Sequence, residues 1–151
     1  MMAKLALALR IALGVMFCYA AYTKLRQPWL VFAMSIDAYR VLPPWAVFTV
    51  ARTLPWMELV VGLLLVGGVF LRYAAPAATI LLMVFYGAMI HAYAAGAGID
   101  CGCFGVGEAV SATTLLRDGV LLGCSLMLSV LALRRNGTAP ARRDVLAAHP
   151  L

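Results

Sequence analysis

Residues 55–95, PWMELVVGLLLVGGVFLRYAAPAATILLMVFYGAMIHAYAA, contain two apolar runs, Pro55–Leu71 and Ala74–Ala95, parted by Arg72 and Tyr73. Crossing a hydrocarbon core as helix takes about 20 predominantly apolar residues, so the second run is long enough and the first is short. Leu5–Thr23 upstream and Thr113–Leu133 downstream are two further runs of that kind. The whole chain is 65% hydrophobic and 12% charged, against about 45–50% and about 25% in soluble domains. Its mean hydropathy is +0.97. The pattern predicts an all-α membrane protein. Residues 1–133 form a four-transmembrane-helix bundle with spans of 5–23, 55–71, 74–95 and 113–133, and residues 134–151 form a basic, disordered tail.

Between the first two spans, residues 24–54 are apolar but broken by Asp37, Arg40, Pro43-Pro44 and Arg52. They read as short interfacial helices covering one end of the bundle. Trp29, Trp45 and Trp56 fall in or beside this segment, and tryptophan favours the headgroup layer. Lys4 and Arg10 with the following apolar run resemble a secretory signal, but no soluble mature protein follows, so the run is expected to stay as the first helix.

Four crossings put both termini on one side. That side collects seven of the twelve basic residues, Lys4, Arg10, Arg72, Arg134, Arg135, Arg142 and Arg143. By the positive-inside rule the termini are expected in the cytoplasm, in a bacterial inner membrane. The net charge of +6 then reflects orientation and contact with anionic membrane lipid, and no nucleic acid is expected as a partner.

This topology sends the polar loop Asp100-Cys101-Gly102-Cys103-Phe104-Gly105 to the periplasmic side, where disulfides persist. Cα atoms two residues apart are about 5–7 Å from each other, within disulfide reach. Closing so small a ring strains it and favours exchange. Cys101 and Cys103 are the candidate catalytic pair. Their alternative role is as soft-metal ligands for Cu(I), Hg(II) or Zn(II).

Counting along the helices places Tyr22, Lys24, Glu58, His91, Arg117 and Asp118 in one layer beneath that loop. Ionisable residues inside a membrane pair with one another, so Glu58 is expected to pair with Lys24 or Arg117. The blander role of such a pair is to hold helix register. Cys18 and Cys124 differ in depth by roughly 9 Å on the same count and read as packing thiols.

Together, Tyr22-x-Lys24, Ile36-x-x-Tyr39-x-x-Leu42-Pro43, Leu54-Pro55-Trp56-x-Glu58-x-x-x-Gly62, Cys101-Gly102-Cys103-Phe104-Gly105 and Arg117-Asp118 resemble the MauE family, methylamine utilisation proteins within the broader DoxX-like membrane group. The resemblance covers about residues 5–133. It implies a redox-associated four-helix protein acting with a thioredoxin-like periplasmic protein or a client enzyme during maturation of that client. The expected chemistry is thiol-disulfide exchange at Cys101/Cys103, with a lipid quinone as the economical electron acceptor. The rival readings are a non-catalytic scaffold for a periplasmic enzyme, a soft-metal carrier, and transfer to quinone from another donor such as a sulfur compound.

Overall fold

The computed structural model describes residues 2–96 and 110–137. The chain runs α1 (Met2–Arg26), α2 (Trp29–Ala38), α3 (Pro44–Gly67), α4 (Leu71–Ala94) and α5 (Ala112–Gly137). The helices α1, α3, α4 and α5 each contain a stretch long and apolar enough to span a membrane. At 1.5 Å per residue the 24-residue α4 is about 36 Å long, enough to cross with some tilt. The four alternate in direction and form a ring in which α1 contacts α3 and α5, while α4 contacts α3 and α5.

Large apolar side chains point outward as well as inward. Val15, Val60, Val84 and Leu116 are more than half exposed, as expected when the surroundings are lipid rather than water. The interior is made by Leu13 and Phe17 of α1, Leu65 of α3, Ala75 and Ala78 of α4, and Leu128 of α5. Thr79 adds a polar knot between α4 and α5. Its hydroxyl donates to the Ala75 carbonyl at 3.0 Å and accepts from Ser125 and Ser129 at 2.8 Å each, which uses all three of its hydrogen-bonding positions.

The tightest crossing joins α1 to α3 at Gly14 and Gly62. A Cβ on Gly62 would lie 2.9 Å from the Gly14 carbonyl oxygen and 2.7 Å from Cys18 Sγ. Only hydrogen fits there, and the backbones are drawn together accordingly. Gly62→Ala is therefore expected to lower stability by about 1–3 kcal/mol. Adding Cys18→Ala should rescue it only in part, because the clash with the Gly14 carbonyl remains. Thermal unfolding of the detergent-solubilised variants checks both outcomes.

The element boundaries differ from the sequence reading, most of all at the start of the second span; that span also ends at Gly67 and α4 begins at Leu71. The second span begins at Pro44 rather than Pro55, so residues 44–54 are the first turns of α3 and not separate interfacial helices. Pro43 is the N-cap and Pro44 opens the helix, a position where a missing N–H costs nothing. Pro55 is accommodated inside the helix on its buried face. Arg52 stays at the surface with its guanidinium 4.4 Å from the Trp29 ring centroid. Among the described residues the one short helix is α2, which packs Phe32 and Ala33 onto Val47, Ala51 and Leu54 of α3. At the other terminus α5 continues past Leu133 to Gly137, so Arg134 and Arg135 belong to the helix. The rest of the tail lies outside the described residues.

Candidate functional site

Lys24 stands in the last turn of α1, where a cation complements the helix dipole. Its Nζ lies 2.9 Å from both Oε1 and Oε2 of Glu58 on α3, and each residue is only 4% exposed. The expected intramembrane pair is thus Lys24–Glu58. The ammonium also sits 5.5 Å from the Phe32 ring centroid and 5.8 Å from that of Phe85, so α2 and α4 close over it with aromatic faces, which attract a cation. Glu58 is about 21 Å from the first residue of α3, deeper along its helix than one turn. Lys24 still reaches it because the opening turns of α3 continue alongside α2, beyond the end of α1.

Arg117, the other expected partner of Glu58, instead places Nε 3.0 Å from Oδ1 of its neighbour Asp118. Asp118 is buried and lines the same cavity as Lys24 and Glu58, together with Tyr86, Phe85 and Met16. This cavity measures about 30 Å³ and its surface is mostly apolar. It brings an ammonium, two carboxylates and a phenol from four helices around one small space. Its charges are paired, Lys24 with Glu58 and Asp118 with Arg117.

The other members of the expected layer do not join it. Tyr22 is exposed on the outer face of α1, with Arg26 against its ring at 5.4 Å. His91 is exposed on α4, at the edge of an apolar groove of about 600 Å³ formed with Phe32, Ile36, Leu54 and Phe85. The Cys101/Cys103 pair and Asp100 lie outside the described residues. Cys18 and Cys124 are free thiols. Among the described residues no three His, Cys, Asp or Glu side chains gather as a metal site.

Tyr86, Phe32 and Phe85 were not singled out from sequence. An aromatic residue in an apolar helix carries no mark of what it faces. The one available signal for Tyr86 is Gly119, beside Asp118 on α5. A Cβ there would meet the Tyr86 hydroxyl at 3.1 Å, so the glycine makes room for the phenol.

Fold and site together define a multi-pass membrane protein of four spanning helices around a buried charge cluster. The family described as methylamine utilisation protein MauE matches residues 2–132. The methylamine utilization protein MauE of Paracoccus denitrificans is 38% identical over 125 residues, which cover 81% of this chain and 67% of that protein. The chain belongs to the MauE family. No solved structure matches it.

Proposed function

We propose that this chain is a membrane thiol-disulfide oxidoreductase, or redox maturation partner, that works through Cys101 and Cys103. It would serve a thioredoxin-like periplasmic protein or a client enzyme, as part of the methylamine utilisation named for its relative. The carrying observation is that the segment bearing both cysteines joins the end of α4 to the start of α5, at the end of the bundle that holds Lys24, Glu58 and Asp118. In a bacterial inner membrane with both termini cytoplasmic, this end faces the periplasm.

In the oxidising direction, a partner thiolate attacks the Cys101–Cys103 disulfide and forms a mixed disulfide, releasing one cysteine of the pair as thiolate. The partner's second thiolate then breaks the mixed bond. The partner leaves as a disulfide, and the chain keeps two electrons as a dithiol. A lipid quinone would supply the two-electron oxidation that restores the pair. The groove between α2, α3 and α4 would hold the quinone, since its lining includes Leu54, Leu81 and Val84 as apolar residues and Tyr39, Arg40 and His91 as polar ones.

The reduction potential of the pair tests this reading. Thiol labelling and intact mass of the detergent-solubilised protein across glutathione buffers are expected to show a two-electron transition above about −200 mV. A potential below about −300 mV would mark a stable clip and favour a scaffold. Protection of both thiols by Cu(I) or Zn(II), without any disulfide, would favour metal handling.

A further inference from the structure

The end of the bundle opposite the charge cluster holds a second cavity, of about 700 Å³, between α1, the α3–α4 turn and α5. Its wall is mixed, with Leu7, Leu71, Leu128 and Leu131 on the apolar part and two guanidinium groups, Arg10 and Arg72, among the polar groups. Arg10 lies within the first spanning segment, Lys4–Arg26, about 9 Å along the helix from Lys4. Its Nη2 makes a long 3.4 Å hydrogen bond to the Val66 carbonyl, near the C-terminal end of α3. Its Nε is buried and has no hydrogen-bond partner. The turn is shaped around this side chain. Gly68 caps α3 at φ 71°, and a Cβ there would collide with the Arg10 guanidinium.

A cation inside a membrane is held by a counter-charge or by backbone carbonyls, and Arg10 has one long bond of the second kind. Among the described residues the carboxylates are Asp37, Glu58 and Asp118, and all three belong to the other end of the bundle. Arg10 is about 21 Å along α1 from Lys24, where Glu58 is bound. Arg134 adds a further positive charge on the last turns of α5. A basic recess with a leucine wall, reachable from the bilayer, matches a phosphate diester carrying acyl chains.

We propose that Arg10 and Arg72 form a binding site for an anionic phospholipid, whose phosphate accepts from the outer guanidinium nitrogens of Arg10 and from Arg72 while an acyl chain lies along Leu7 and Leu131. The lipid completes the α1–α4–α5 junction at this end, where protein carboxylate is lacking among the described residues.

Native mass spectrometry of the full-length, delipidated protein tests the site, with phosphatidylglycerol and phosphatidylcholine added in turn. The wild-type protein is expected to retain phosphatidylglycerol over phosphatidylcholine. Arg10→Gln should reduce phosphatidylglycerol retention about tenfold through loss of charge-assisted hydrogen bonds, and Arg72→Gln should reduce it as well. Leu131→Trp fills the recess without changing net charge and should do the same, which keeps the test open if Arg10→Gln fails to fold. Arg142→Gln/Arg143→Gln should leave retention unchanged. Equal retention of the two lipids by the wild-type protein would overturn the proposal. So would phosphatidylglycerol binding that survives Arg10→Gln or Leu131→Trp but is lost with Arg142 and Arg143, which would place the lipid on the basic tail.

Discussion

Glu58→Gln is expected to destabilise the protein by about 3–5 kcal/mol, because it strands the Lys24 ammonium in a buried site without a counter-charge. Lys24→Met should cost a similar amount for the opposite reason, since Glu58 then keeps a buried carboxylate without its ammonium. The double variant Lys24→Met/Glu58→Leu removes both charges and leaves apolar side chains beside Phe32 and Phe85, so much of the lost stability should return. Desolvating an ion pair consumes most of what its attraction supplies, which is why the pair as a whole contributes far less than either half appears to when deleted alone. Denaturant or thermal unfolding in detergent gives the coupling energy as a double-mutant cycle. Additive losses in the double variant would show that the 2.9 Å contacts are not energetically coupled. A folded double variant that retains full thiol exchange would assign the pair to helix register alone. Lost exchange would assign it a part in the chemistry.

Cys101→Ser/Cys103→Ser should abolish thiol-disulfide exchange with a thioredoxin-like partner while leaving the unfolding transition close to that of the parent protein. Serine is nearly isosteric with cysteine but forms no disulfide, and its hydroxyl is not a thiolate nucleophile at neutral pH. The bundle core and the Lys24–Glu58 pair are made wholly by other residues, so no broad loss of stability is expected. A single Cys103→Ser or Cys101→Ser leaves one thiol, which should form a mixed disulfide with the oxidised, disulfide form of the partner that it cannot itself resolve, visible as a higher-mass species under non-reducing conditions. Full client maturation by the double-serine protein would show that the chain acts as a scaffold.

Different parts of this architecture were legible in the sequence to different degrees. The four spanning helices were readable because length and apolarity suffice for a membrane crossing. The start of α3 was not, because Pro43-Pro44, Arg52 and Pro55 all carry the local marks of an interruption. Packing of Phe32 and Ala33 against Val47, Ala51 and Leu54 stabilises the helix through that stretch, and the prolines fall where α3 begins or on its buried face. Lys24, Glu58 and Asp118 do meet around one cavity, whereas Tyr22 and His91 lie at helix surfaces outside it.

Sequence by itself determined the number of crossings, the end of the bundle to which each polar residue belongs, and the presence of an intramembrane charge that had to find a partner. Position along a helix follows from residue number at 1.5 Å per residue, so depth can be counted. Tertiary structure alone decided which way each side chain faces around its helix axis. Soluble helices declare their inner face by amphipathic patterning, but these helices are apolar on the lipid side as well. The choice of Lys24 over Arg117 as the partner of Glu58, the aromatic cover from Phe32 and Phe85, and the recess around Arg10 therefore emerge only from the packing of one helix against another. The Gly14–Gly62 crossing sets how closely α1 approaches α3, and with that approach the distance from Lys24 to Glu58.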